Sequence, residues 1–461
     1  MNAQPPLLHT VTVEVNLGSS APGDSVLVAL LGRLTPTGAW LREGEGLIGL
    51  GQAASAAASG PRRFPELAQW WASVSWNPNE GTTPALSPLS PVAFTSVAFS
   101  AESDYSSRLI VPELLISHRE GRTHLLMISA EPHEAVPGTA DVDAVLARHG
   151  LRLKAGDPLP ELVAEGSAVP QLPKTSVEPG THSERQYMNA VTAGLSAIAE
   201  GTVEKLVLAR DVAVRAAAPV HTGALLARLA QDYSECWTYY VHSTSAAARA
   251  VLGATPEMLV RLRGDRVSSR VLAGTVDRSW SPQEAEDRLL RDAKQHREHD
   301  LAVQSLVEQL APLTESLQSP ADPRVLQLPN VYHLASDVTG QLTRNDDGAL
   351  PGPLQVAERA HPTAAVCGTP TREAGQLLQM LEGLDRGPFA GPVGWMDTRG
   401  NADFGIALRG AVAEDTGGPA QCPTQFRLYA GCGIVANSVP EDELAETRAK
   451  LRPMLAALGL Q

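Results

Sequence analysis

The stretch Tyr429-Ala-Gly-Cys-Gly-Ile-Val-Ala-Asn-Ser-Val-Pro-Glu-Asp-Glu-Leu-Ala-Glu-Thr-Arg-Ala-Lys450 constrains the fold more than any other. An apolar strand runs into what reads as a Gly-rich turn. Ser438 and Glu441, at capping-box spacing, then start a helix with Pro440 in its first turn. On that helix Glu443, Glu446, Thr447 and Lys450 fall at i, i+3, i+4 and i+7, so two carboxylates and an ammonium share one face. Leu444, Leu451, Leu455 and Leu458 form the adjacent stripe. Alone, such a face is usually solvated. Its start one turn after glycines whose amides could meet an anion makes it a candidate site.

Gly431-x-Gly433-x-x-Ala436 also fits a dinucleotide fingerprint on paper. That fingerprint needs a βαβ unit and an acidic residue about 20 positions on. Here one helix follows before Gln461, so the expectation is that no dinucleotide binds.

At 461 residues, 43% of them hydrophobic, the chain can bury a large core. The net charge of -14 argues against nucleic acid and anionic membranes as partners. An anionic substrate would need local cations or a metal. Cys236, Cys367, Cys422 and Cys432 are scattered without a CxxC pair, which points to a reducing compartment. Met1 to Gly18 lacks a charged segment followed by an apolar one, and no apolar run approaches the roughly 18 residues of a membrane span. The expectation is a soluble cytoplasmic protein.

Residues 9 to 154 read as short strands: His9 to Val15, Ser25 to Leu31, Val92 to Phe99, Leu109 to Ser117 and Thr123 to Ser129. Gly156 to His182, with five prolines, reads as a linker or surface crossing. Ser183 and Gln186 then cap a helix ending near Gly201, and Val203 to Val214 alternates as a strand with Lys205 on the face of Val207 and Ala209. Strands follow at Trp237 to His242, Ala250 to Gly253, Leu259 to Leu262 and Ser269 to Leu272. A capping box at Ser281 opens a helical stretch to about Leu317, and Thr369-Pro370 opens another helix. Gly394 to Thr398, Asp403 to Ala411 and Gln425 to Tyr429 complete the strands. The mixed order implies α+β rather than a doubly wound sheet.

Three groups outside the last helix could do chemistry. Glu298, in Gln295-His-Arg-Glu-His-Asp300, fits no zinc-hydrolase motif, but joined by Glu443 or Glu446 it suits a hard cation such as Mg²⁺. Lys205 on an apolar face is more often a snorkelling residue; desolvated, it would accept a proton near neutrality. Glu257 follows Pro256 at the mouth of a strand, where an ordinary turn carboxylate is the plain alternative.

Taken in order, the motifs Lys205-Leu-Val-Leu-Ala-Arg, Gly253-Ala-Thr-Pro-Glu, Leu272-Ala-Gly-Thr-Val-Asp-Arg278, Glu298-His, His361-Pro-Thr-Ala-Ala-Val-Cys-Gly-Thr-Pro370, Phe389-Ala-Gly-Pro-Val-Gly-Trp395, Ile406-Ala-Leu-Arg409 and Tyr429-Ala-Gly-Cys-Gly-Ile-Val resemble the chorismate-utilising enzymes. The resemblance covers about Glu184 to Leu458. It implies one large α+β body of two facing antiparallel sheets with helices outside. Residues 1–180 would be a variable strand-rich part of that body, and 181–461 the chorismate-binding catalytic region.

Within the family the resemblance is closest to the isochorismate synthases. It implies Mg²⁺-dependent attack of water at C2 of chorismate with loss of the C4 hydroxyl, for menaquinone ahead of a catechol siderophore. By it Lys205 is the base and Glu257 the acid, Glu298 and Glu446 hold the metal, and Glu443 lies near it. Arg409, Lys450, Gly431 and Gly433 would hold the substrate carboxylates, with Thr275, His333, Ala365, Phe389 and Tyr429 lining the pocket. Ala273 stands where aminodeoxychorismate synthases carry lysine, and a lysine at position 205 disfavours ammonia chemistry and a glutaminase partner. A monomer or weak homodimer is expected. Salicylate synthase is the alternative activity, and a non-catalytic chorismate-binding paralogue, which should have lost Lys205, Glu257 or a metal Glu, is the alternative class. Gln295 and Cys432 depart from the family pattern, which usually has an acid and an alanine there.

Overall fold

Alternating apolar strands along this chain pair almost wholly antiparallel and build two large sheets, with Leu151–Lys154 and Glu161–Ala164 forming a separate two-stranded one. The computed structural model describes residues 6–18, 25–77, 89–130, 139–166, 168–242, 249–277, 280–320, 322–328, 331–346, 348–414 and 422–460. One large sheet has 13 strands and the other 10. Side chains from both, among them Trp40, Phe94, Tyr239, Val260, Trp395 and Phe404, fill the layer between them. The layer is tight: a Cβ at Gly38 would lie 2.2 Å from the Phe94 ring, so glycine there is what lets that ring be fully buried. Burying a phenylalanine this way contributes roughly 1.5–3 kcal/mol.

The outer face of the larger sheet is covered by the helices Val26–Leu31 and Thr222–Asp232 and the end of Pro440–Ala457, through Leu27, Leu31, Leu225, Leu229 and Met454. Tyr187, Val191, Leu378 and Leu444 join Glu184–Ala199, Thr371–Glu382 and Pro440–Ala457 to Leu206 and Leu208. No helix among the described residues is long and apolar enough to cross a membrane.

N-terminal strands are built into both sheets. Gly38–Arg42 pairs with Trp237–Val241, and Val92–Ser96 pairs with Pro392–Asp397. Limited proteolysis should therefore release no stable 1–155 fragment; recovery of a folded one would overturn this shared-sheet reading.

Several elements differ from the sequence reading. Ser25 to Leu31 is not a strand but a helical turn capped by Ser25, whose hydroxyl accepts the Val28 N–H. Its buried residues Leu27, Val28, Leu30 and Leu31 follow helical spacing, which a short apolar run obscures. Leu109 to Ser117 is two strands parted at Pro112, and the proline-rich segment contributes the strands Glu161–Ala164 and Thr175–Glu178. The helical stretch breaks at Asp292 and ends at Leu310; Thr314–Gln318 is instead a strand on Val331–Leu342, where pairing outweighs local propensity.

Near the C-terminus Gly431 and Gly433 lie inside the strand Gln425–Ile434, not in a turn. No capping box forms at Ser438. Its hydroxyl accepts the Val435 N–H (3.2 Å), and Val439 precedes the helix without a side-chain cap. Asp403 to Ala411 is two strands, Ala402–Ile406 and Gly410–Ala413, in different sheets.

Candidate active site

The chain changes sheet at two neighbouring places. Ala250–Thr255 belongs to the larger sheet and Met258–Arg263 to the smaller, with Pro256 and Glu257 between them. Ala402–Ile406 and Gly410–Ala413 are parted in the same way by Ala407, Leu408 and Arg409. The crossings are tied together, since Ile406 N–H donates to the Glu257 carbonyl (3.1 Å) and Ala254 N–H to the Arg409 carbonyl (3.3 Å). Arg409 takes φ +51°, a left-handed conformation at the bend. Two charged side chains thus reach the cleft because the sheets part there.

The cleft holds a cavity of roughly 680 Å³, counting its open mouth. Its wall includes Glu257, Glu298, His333, Ala365, Phe389, Arg409, Tyr429, Gly431, Gly433 and Lys450. Phe389 and Tyr429 stack at 5.1 Å as an apolar side. Thr275 lies on the strand opposite His333, and its side chain is outside the described residues. Pro256, Val366, Arg386 and Leu408 also line the cavity, although the sequence reading singled out none of them. Arg386 stands three residues before the Phe389 motif, the one local signal that could have drawn attention to it.

Lys205 opens the strand Lys205–Ala216 and is fully buried. Its Nζ lies 3.3 Å from Glu298 Oε1 and donates to the Glu298 carbonyl at 3.4 Å. Room for this pair comes from Gly433, across the ladder from Val207. A Cβ there would sit 2.3 Å from Glu298 Oε1 and 3.1 Å from Lys205 Cε. Glycine here provides close approach instead of a turn.

Glu257 is 5% exposed. Burial pushes its carboxyl up to about 8, against the opposing pull of the Leu272 backbone hydrogen bond and of Lys205, Lys450 and Arg409. At neutral pH it is a protonated acid beside three cations.

His333 orients Arg409. A bulge at Gly274 (φ +78°) turns its carbonyl to His333 Nδ1 (3.2 Å), while Arg409 Nη2 meets His333 Nε2 at 2.9 Å. A guanidinium can only donate, so the imidazole is neutral, with Nδ1 protonated and Nε2 accepting. Burial, then Arg409 and Lys450, push its pKa well below the ordinary value, in agreement. Burial lowers the Arg409 pKa without threatening its charge. Lys450 donates to the Gly431 carbonyl (2.9 Å) and pairs with Glu446 (2.6 Å). Burial is the largest single influence and disfavours its ammonium, but Glu446 and Cys432 together outweigh it, so its pKa is raised.

The ligand atoms of Glu443, Glu446 and Cys432 lie within 4.8 Å of one another, while Glu298 stands outside that group against Gly433 and Lys205. In the protein alone Glu298 is countered by Lys205 and Glu446 by Lys450. Burial pushes the Cys432 thiol well up, so it stays protonated and leaves a set of hard oxygen donors. That pair of carboxylates, Glu443 and Glu446, fits a hard cation such as Mg²⁺.

The chorismate binding enzyme family model matches residues 40–459. The chain belongs to that family. It is 39% identical over 281 residues to the isochorismate synthase DhbC of Bacillus subtilis, covering 59% of this chain and 68% of that one. It is 35% identical over 278 residues to the isochorismate synthase EntC of Escherichia coli K12, covering 60% and 67%. Its fold resembles the menaquinone-specific isochorismate synthase MenF of Escherichia coli with a TM-score of 0.70 at 23% identity, covering 99% and 95%. The α+β architecture of facing antiparallel sheets is that of the family.

Proposed function

We propose that this chain is an isochorismate synthase. The observation that carries the reading is a buried carboxyl, Glu257, which burial pushes up to about 8, in a cavity whose wall also includes Glu298, the partner of the buried Lys205. Arg409 and Lys450 supply positive charge for the carboxylates of chorismate, which a -14 protein would otherwise repel. Lys205, as the free amine once it has shed the proton of its ion pair with Glu298, takes a proton from the water that attacks C2. The ring double bonds shift, and Glu257 gives its proton to the C4 hydroxyl, which leaves as water. His333 holds Arg409 in place, and the stacked Phe389 and Tyr429 exclude water from the ring.

Product analysis of the purified protein with chorismate tests the reading. Isochorismate is expected; salicylate with pyruvate would mark a salicylate synthase, and no turnover would mark a non-catalytic paralogue. Ammonia should give no anthranilate.

Mg²⁺ is the proposed cofactor, with Glu298 and Glu446 as its carboxylates and Glu443 beside it. When bound it would neutralise substrate and protein carboxylates together. Glu446→Gln should weaken Mg²⁺ binding and chorismate binding in parallel, read by calorimetry as well as by rate. Full turnover of the wild-type protein in excess EDTA would sink the proposal.

A further inference from the structure

The strand that begins at Lys205 has an unfinished edge. One side is paired with Gln425–Ile434 from Leu206 to Arg215. The other meets Gly368–Thr369 only opposite Lys205 and Leu206, and Thr175–Glu178 only opposite Ala213 to Ala216. Between these partners the Val207 N–H donates to the Cys367 carbonyl (2.8 Å), and side chains take the Val207 carbonyl and the Ala209 N–H.

Arg386 Nη2 donates to the Val207 carbonyl (2.6 Å), and the Ala209 N–H donates to Glu382 Oε1 (2.7 Å). Arg386 Nε donates to Glu382 Oε2 (2.8 Å), its Nη2 also meets Glu382 Oε1, and its Nη1 donates to the Val366 carbonyl (2.8 Å). Both side chains are 4% exposed, and the guanidinium lies 4.4 Å from the Phe99 ring centroid. A donor and an acceptor, locked together, thus occupy the ladder positions a neighbouring strand would fill. The same guanidinium grips Val366, next to Ala365 on the cavity wall. Buried ion pairs give little net stability compared with well-packed apolar groups, so stability alone does not account for this one.

We infer that Glu382 and Arg386 are positioning residues for the proposed reaction, fixing the strand that presents Lys205 against the wall that holds the substrate. The inference rests on the isochorismate synthase reading. Without the pair, the edge could shift by a fraction of an ångström, enough to cost rate when a base must meet a water.

The test is a double-mutant cycle. Glu382→Gln and Arg386→Lys are each expected to lower kcat about tenfold or more, with KM for chorismate within about threefold. In a Lys205→Ala background the same changes should alter the residual rate less than about twofold, because the base they position is gone. A purely structural role would give the same loss in both backgrounds, and that outcome overturns the inference. So does unchanged kcat in folded variants of an active protein. Should Glu382→Gln not fold, the charge-keeping Arg386→Lys and Glu382→Asp carry the same comparison. Absence of turnover in the wild-type protein would count against the proposed function itself.

Discussion

Lys205→Ala is expected to cut isochorismate formation by about 10²-fold or more while chorismate still binds. The lysine is fully buried, paired with Glu298, and flanked by Val207 and Ala209 on the cavity side of its strand. The groups proposed to hold the substrate sit on other elements: Arg409 at a sheet crossing, Lys450 on the C-terminal helix, His333 on a strand of the smaller sheet. Alanine leaves these in place, so the loss should fall on kcat, with the chorismate dissociation constant from calorimetry little changed. Some loss of thermal stability is also expected, because Glu298 is left without its counter-charge. A variant that folds, binds chorismate and makes isochorismate at a near-normal rate would remove Lys205 from the mechanism.

Much of the site was legible because its parts lie in short local motifs. Lys205, Glu257, Arg409 and Tyr429 could each be read from a few neighbours, and the order of the motifs supplied the family. Assembly was less legible. Asp403 to Ala411 looks like one apolar strand, since nothing local says that the chain leaves one sheet for the other at Arg409, and that crossing is what places its guanidinium in the cleft. Gly431 and Gly433 carry the usual mark of a turn, yet Gly433 is needed for the space taken by Glu298, more than a hundred residues earlier. Ser438 and Glu441 have capping-box spacing, but the Ser438 hydroxyl closes a tighter turn onto Val435. Glu382 and Arg386 drew no notice in the sequence: the helix Thr371–Glu382 ends at the first of them, and only the tertiary structure brings the second back to it against a strand edge.

Electrostatics ties these parts together. The chain carries a formal charge of -14, yet Arg409 and Lys450 line its cavity and Lys205 pairs with the wall residue Glu298, while His333 and Glu446 fix Arg409 and Lys450. An anion entering the cleft leaves an unfavourable field for a locally favourable one, so salt should affect the rate of entry more than the chemical step.

Glu257→Gln is expected to lower kcat by about 10²-fold or more, the size of a general-acid contribution, and to abolish the alkaline limb of the pH profile. In the wild-type protein the carboxyl titrates near 8, because burial outweighs the Leu272 hydrogen bond and the attraction of Lys205, Lys450 and Arg409. The leaving C4 hydroxyl needs the protonated form, so kcat/KM should fall with one proton as pH rises through about 8. Stability should move with the same group. A carboxyl raised above its ordinary 4.5 keeps its proton in the folded state while the unfolded chain loses it. Wild-type stability contributed by this residue is therefore intact below about pH 4.5, declines as pH climbs toward 8, and is level beyond. Glutamine does not titrate, so the melting temperature of the variant relative to wild type should rise between about pH 5 and about pH 8 while its activity stays low throughout. A wild-type kcat/KM flat from about pH 6 to about pH 9, or a glutamine variant of nearly normal rate, would show that another group protonates the leaving hydroxyl.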